Sequence, residues 1–262
     1  MEKLLIIPTY NEKENISAIL EAVFSLKENF HILIIDDSSP DGTAEIVKSL
    51  LSKYPDQLFI EQRIGKLGLG TAYIHGFKWA LHHGYRFIFE MDADFSHNPK
   101  NLDNLYQACK LGADVSIGSR YVHGGEVENW PWLRIAISKG ASIYTRLITW
   151  MPVKDPTAGF VCYRRKVLEA INLDEISFIG YAFQIEMKFA AWKLGFKIKE
   201  VPITFVDRKL GASKMNKGIV KEGILGVLKL KWMSMFKNYR NRVKNISEIT
   251  SFPNHEVILE GK

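Results

Sequence analysis

From Leu4 to Ile117 the chain alternates two patterns, and nothing else in it restricts the fold as much. Short β-rich runs occur at Leu4–Ile7, Ile32–Ile35, Leu58–Glu61, Phe87–Met91 and Val115–Ile117. Between them, apolar residues recur at helical spacing over Ile16–Leu26, Ala44–Leu51, Gly70–His82 and Leu102–Lys110. A βαβα order implies crossovers, which make the strands parallel and lay helices on both faces of the sheet. The prediction is an α/β fold with a mostly parallel sheet, and such sheets bind ligands beyond the carboxyl ends of their strands.

The polar residues fall where that rule requires them. Thr9-Tyr10-Asn11-Glu12 follows the first strand, Asp36-Asp37-Ser38-Ser39 the second, Asp92-Ala93-Asp94 the fourth and Gly118-Ser119-Arg120 the fifth. Turn chemistry accounts for one or two such clusters, whereas four on one edge point to a ligand site. Asp92 and Asp94 offer two hard oxygen ligands at the end of a buried strand. That donor set suits Mg²⁺ or Mn²⁺ bridging to phosphate oxygens. With 11 Asp in 262 residues, a D-x-D match arises by chance roughly 0.5 times per chain, so its setting must support it.

The neighbouring motifs have plainer duties beside their candidate ones. Asn11 or Thr9 is a candidate cap for the first helix, with Tyr10 against a base and Glu12 near a sugar as the ligand reading. Asp41-Gly42 reads as a tight turn with Thr43 capping the next helix. Gly65-Lys66-Leu67-Gly68-Leu69-Gly70 matches neither the P-loop nor the dinucleotide fingerprint and reads as a helix start with limited phosphate contact. His97 is a tempting general base, but it reads better as part of the loop and helix start before Pro99.

The second half is less regular. A helix is predicted over Leu133–Trp150, then a loop Asp155–Gly159 leading into Phe160–Tyr163. A helix over Tyr181–Leu194, strands at Lys197–Val201 and Ile203–Val206, and a final helix over Ile219–Arg240 follow, with a loose tail beyond Ser247. At 262 residues and 47% apolar content, one large α/β domain with a full core is expected. Cys109 and Cys162 lie far apart without metal-ligand spacing and read as buried thiols in a reducing compartment. The start shows no signal-peptide pattern, and no uninterrupted apolar stretch of about 18 residues predicts a membrane span. Net charge is +6. From Lys209 to Lys244 ten Lys and Arg face one acid, Glu222, which suits an anionic partner.

Taken in order, P-T-Y-N-E, D-D-S-S-P-D-G-T, G-L-G-T-A, M-D-A-D-F-S-H-N-P, G-S-R-Y and D-P-T-A-G-F resemble glycosyltransferase family 2. Within it the chain is similar to the dolichol- and polyprenol-phosphate mannose synthases, over about residues 3–240. The resemblance implies a GT-A (Rossmann-like) fold and inverting transfer of mannose from GDP-mannose to a polyprenyl (dolichyl or undecaprenyl) phosphate. It implies a catalytic domain over residues 1–215, an amphipathic helical extension over 216–247 and a loose tail over 248–262. Pro8, Tyr10, Glu12, Ile35 and Asp37 would contact the nucleotide. Asp92, Ala93 and Asp94 would sit at the diphosphate, with Asp92 and Asp94 holding Mg²⁺ or Mn²⁺. Arg120 would approach the sugar or acceptor phosphate, and Arg208 and Lys214 would close over the phosphates; with Asp94 these form the expected catalytic set. Ser96 stands where some relatives have Gln, which leaves its part in metal binding open. Gln184 or Glu186 would face the acceptor groove, or Glu186 would form a structural ion pair.

The residue types suit that chemistry. Charge building on a leaving diphosphate is offset by a metal and by cations. An acceptor phosphate is already anionic near neutral pH and needs positioning more than deprotonation, so no general base is required. Leu133–Trp150 and Ile219–Arg240 both mix large apolar residues with Lys and Arg and read as helices able to lie at a membrane interface; core or dimer packing, and hence a homo-oligomer, is the alternative. A peripheral enzyme at the cytoplasmic face of the membrane is the expectation. Two other readings remain: the same chemistry with UDP-glucose or another UDP-sugar, and a non-enzymatic nucleotide- or nucleic-acid-binding module. The intact D-x-D and the lack of aromatic-rich basic strands argue against nucleic acid.

Overall fold

The computed structural model describes residues 1–180, 182–207 and 217–240, with side chains described from residue 225 onward in the last helix. The first half alternates as the pattern predicts: β1 (Lys3–Thr9), α1 (Ile16–Phe24), β2 (His31–Asp36), α2 (Thr43–Leu50), β3 (Leu58–Gln62), α3 (Leu69–His82), β4 (Phe87–Glu90), α4 (Asn101–Lys110) and β5 (Val115–Ser119). The remainder comprises β6 (Glu126–Glu128), α5 (Trp132–Thr149), β7 (Val161–Arg164), α6 (Arg165–Ala170), α7 (Ala182–Lys193), β8 (Ile198–Pro202), β9 (Thr204–Val206) and α8 (Lys217–Met233). Seven strands form one sheet in the order β3-β2-β1-β4-β7-β5-β8.

Burial on both faces explains why these strands read as continuous apolar runs. Along β1, Leu4 and Ile6 pack into a core under α3, α6 and α7, while Leu5 and Ile7 pack into a second core under α1 and α4. Helix α3 lies close on β1 because position 76 is glycine: a Cβ there would sit 2.7 Å from Ile6 Cγ2.

Four features differ from the sequence expectation. β7 runs antiparallel to both β4 and β5. β9 leaves the main sheet and pairs with β6, a strand too short to leave a pattern. A short helix, α6, follows β7 directly. The last helix stops at Met233, and the chain then turns so that the Tyr239 carbonyl accepts from Asn172 N–H at 2.9 Å. The tail 248–262 and the boundary expected after residue 215 lie outside the described residues, as do Tyr181, Arg208 and Lys214.

Helix α5 is amphipathic in an inverted sense. Its buried positions are Ser142, Thr145 and Thr149, whereas Trp132, Leu133, Ile137, Ile143 and Leu147 are exposed. The hydroxyls of Thr145 and Thr149 are satisfied by donating to backbone carbonyls one turn back. Trp150 after α5, and Leu225, Leu228, Trp232 and Phe236 in and after α8, extend the exposed apolar surface. No helix among the described residues is long and apolar enough to cross a membrane.

Candidate functional site

Because β1, β2, β4 and β5 are parallel members of one sheet, their polar carboxyl ends share one edge. The antiparallel β7 brings the loop before it, residues 155–160, to the same edge between β4 and β5.

At the β1 end, Pro8 is half-buried in the strand and Tyr10 lies beyond it, with the Lys66 ammonium 4.6 Å from its ring centroid. Glu12 accepts from Asn15 Nδ2 at 3.2 Å. Neither Thr9 nor Asn11 caps α1: Thr9 donates its hydroxyl to Asp36, and Asn11 sits at φ 58° with its N–H on Ser39 Oγ. At the β2 end, Ile35 is fully buried inside the ladder, so its side chain faces the core. Asp36 is consumed internally by Thr9 Oγ1, Ser39 N and Ser39 Oγ at 2.6–2.9 Å. Asp37 forms a buried ion pair with Arg63, whose Nε lies 2.7 Å from Asp37 Oδ1. Arg63 also donates to Thr71 Oγ1 and the Gly68 carbonyl. Asp41 accepts from Thr43 N–H and hydroxyl and from Lys13 N–H, so it closes the turn and ties α2 to the β1–α1 loop. Gly42, not Thr43, is the cap residue of α2.

Gly70, in the first turn of α3, serves close packing. Gly70 N–H donates to the Ile179 carbonyl at 2.8 Å, and a Cβ on Gly70 would lie 2.8 Å from the Phe178 carbonyl oxygen.

At the β4 end, Asp92 is half-buried, and Ala93 and Asp94 are buried. Ser96 N–H donates to Asp94 Oδ1 at 3.0 Å, which fixes that carboxylate over the turn. Ser96 Oγ is buried without a hydrogen-bond partner. A buried unpaired hydroxyl two residues past Asp94, on the turn that its N–H closes over that carboxylate, is a candidate oxygen ligand, so the donor set of the motif fits a hard divalent cation. Among the described residues no group of three or more His, Cys, Asp and Glu is arranged to hold a metal. A cation here would therefore complete its shell with phosphate oxygens or water, as Mg²⁺ commonly does. Behind the motif, burial and the Asp92 and Glu90 carboxylates hold the Tyr73 phenol well above its usual pKa. His97 stacks on Phe160 and meets Phe205 edge-on. Burial lowers its pKa to about 4, against an opposing pull from Asp94, so it is a neutral packing group at neutral pH.

At the β5 end Arg120 is not a free cation. Its Nε and Nη2 grip the two oxygens of Asp155 at 2.7 and 2.6 Å, and Nη2 also reaches Thr157 Oγ1. The guanidinium lies among the rings of Tyr121, Trp130 and Phe205. Glu186 is fully buried and accepts from the N–H groups of Ser177 and Phe178 and from Lys237 Nζ at 2.9 Å. It is therefore the structural ion pair rather than an acceptor contact. Gln184 is buried against Lys188.

Sequence reasoning left Arg63, Asp155 and Lys188 without roles. Arg63 directly follows β3, so the strand-end rule would have found it. The others depend on the reversed β7.

Residues 4–171 match the model of glycosyl transferase family 2. The chain is 47% identical over 224 residues to the polyprenol monophosphomannose synthase of Mycolicibacterium smegmatis, covering 86% of this chain and 84% of the relative. It is 43% identical over 243 residues to the undecaprenyl-phosphate mannosyltransferase of Micrococcus luteus, covering 93% and 99%. Among solved structures, glucosyl-3-phosphoglycerate synthase from Mycobacterium tuberculosis, in complex with Mn²⁺, UDP and glucosyl-3-phosphoglycerate, superposes with a TM-score of 0.64 at 14% identity, covering 88% of this chain and 80% of that one. A mannosyltransferase from Pyrobaculum calidifontis in complex with GDP-Man and Mn²⁺ superposes with a TM-score of 0.52 at 15% identity, covering 89% and 73%. The sheet is thus that of the GT-A fold. The chain is a glycosyltransferase and belongs to glycosyl transferase family 2.

Proposed function

We propose that this enzyme transfers mannose from GDP-mannose to the phosphate of a polyprenyl phosphate, with inversion, using Mg²⁺ or Mn²⁺ held by Asp92 and Asp94. The observation that carries the reading is the position of that carboxylate pair. It lies at the end of β4, between the β1 and β2 ends that carry Tyr10 and Asp37 and the β5 end that carries Arg120. The names of the relatives supply the sugar and the class of acceptor, and neighbours of the same fold bind Mn²⁺ with nucleotides.

In this reading Tyr10, Glu12 and Asp37 orient the nucleoside, and Arg63 and Leu67 N–H hold the Asp37 carboxylate in place. The cation, when bound, stabilises the charge that grows on the leaving diphosphate. Asp94 is locked by Ser96 N–H, so it needs little rearrangement to serve that site. Arg120 contributes a guanidinium plane fixed by Asp155 rather than a mobile charge. Arg208 and Lys214 supply the cations that bring an anionic acceptor beside a diphosphate. The acceptor phosphate needs no base to attack, in keeping with a neutral, ring-stacked His97.

A lipid acceptor explains the inverted α5. Its exposed Trp132, Ile137, Ile143, Leu147 and the following Trp150 lie with exposed Arg146 and Lys139, and the Lys231 ammonium sits 3.9 Å over the Trp150 ring. Large apolar side chains among cations are the composition of an interfacial surface. The enzyme would then work as a peripheral protein at the cytoplasmic face, with α5 and α8 lying in the lipid headgroups. Incubation with GDP-mannose, UDP-glucose and other nucleotide sugars plus a polyprenyl phosphate, read by the mass of the lipid product, tests the donor. Product from GDP-mannose is expected, and product from a UDP-sugar alone overturns the donor assignment.

A further inference from the structure

Because β7 runs against its neighbours, residues 155–160 cross the ligand edge between the ends of β4 and β5, and three elements fasten them. From β8, Glu200 accepts from Lys154 N–H and Asp155 N–H at 2.8 and 2.9 Å. From the end of β5, Arg120 grips Asp155. From α7, Lys188 donates to the Ala158 carbonyl at 2.6 Å and to Gln184 O and Oε1, both at 3.0 Å. The next residue, Gly159, brings the backbone against the metal motif: a Cβ there would lie 4.0 Å from Asp92 Oδ2 and 3.8 Å from Gln184 Nε2.

Lys188 has no exposed surface. A buried ammonium is costly unless it is paired and its protons are all bound. Here three acceptors take its three N–H groups. Burial pulls its pKa down to about 8, against Glu90, Asp155 and Glu200, with Arg120 adding to the fall. Asp155, Arg120 and Glu200, which fasten the loop, are thus among the groups that act on the ammonium. Glu90, on β4 two residues before Asp92, is itself fully buried.

We propose that Lys188 is a positioning residue for the transfer reaction: through the Ala158 carbonyl it sets the spacing between the Asp92/Asp94 pair and the Arg120–Asp155 pair. It touches no substrate. The inference rests on the function proposed above and adds a residue to it. The competing account makes Lys188 a counter-charge for Glu90, with no link to turnover.

The two accounts separate when the two buried titratable side chains are removed together. Glu90→Gln, Lys188→Met and the double variant are compared in folded form, with Glu90→Gln as the reference for the double. A misplacement of about 1 Å costs on the order of 10²-fold in rate. Positioning therefore predicts that the double variant turns over about 10²-fold more slowly than Glu90→Gln, with donor KM changed by less than about threefold. Binding of Mn²⁺ with GDP present, measured by titration, should stay within about threefold, because both metal carboxylates sit on β4. Turnover of the double equal to that of Glu90→Gln overturns the proposal, as does loss of Mn²⁺ binding. If Lys188→Met alone does not fold, the double variant, which carries neither buried titratable group, still decides. Absence of lipid transfer by the unaltered enzyme would instead sink the proposed function, so the two failures are distinct.

Discussion

Asp36 and Asp37 are neighbours with the same chemistry and different duties. Asp36 closes the β2 turn through Thr9 and Ser39, whereas Asp37 faces Arg63 in the β3–α3 connection. Sequence shows both carboxylates at a strand end but not which is consumed, because the deciding partner of Asp37 lies 26 residues away. Glu186 carries the same lesson. A carboxylate in a helix is compatible with a ligand or with an ion pair, and only the return of Lys237 after α8 settles it. Removing one member of a buried pair leaves the other uncompensated, at a cost of about 3–5 kcal/mol. Glu186→Ala should therefore lower the unfolding free energy by that amount in denaturant titration, while the folded fraction keeps its turnover. Unchanged stability would contradict the assignment.

At the scale of elements, α3 is where sequence and packing meet most closely. Its apolar spacing predicts a helix over Gly70–His82, and the structure has one over Leu69–His82. Glycine at 76 costs helix propensity, and the contact with Ile6 explains why it stands there. Gly76→Ala should destabilise by about 1–3 kcal/mol through overpacking, read as a fall in the denaturation midpoint. A gain in stability, as propensity alone predicts, would show that α3 lies farther from β1. The parallel half of the sheet was legible because each crossover helix announces the direction of the next strand. β7 was not, since a four-residue run carries no sign of direction, and its reversal brings Asp155 to Arg120. β9 is legible as the run Ile203–Val206, but its partner is not, because β6 is three residues long and lies below the length at which alternation can be read.

At the scale of the molecule, the D-x-D edge, the basic character and the inverted α5 make one account of a charged donor meeting a lipid acceptor. Net charge +6 and the exposed tryptophans predict that the enzyme sediments with vesicles containing anionic lipid. Each cation near such a surface contributes about 1 kcal/mol, so release at high salt should follow. Replacing Trp132, Trp150 and Trp232 by Ala together should weaken vesicle binding at least tenfold, on the order of what lost burial of three indoles implies. Equal sedimentation of that variant would send α5 and α8 to another partner. The central claim is that Asp92 and Asp94 hold the cation that lets the diphosphate leave. It is tested most directly by comparing the unaltered enzyme with Asp94→Ala for transfer of mannose from GDP-mannose to polyprenyl phosphate over a Mn²⁺ titration. The account predicts metal-dependent product from the unaltered enzyme and a loss of at least 10²–10³-fold in the variant, on the order expected for removing a preorganised charge-stabilising group. Equal product from both would contradict it.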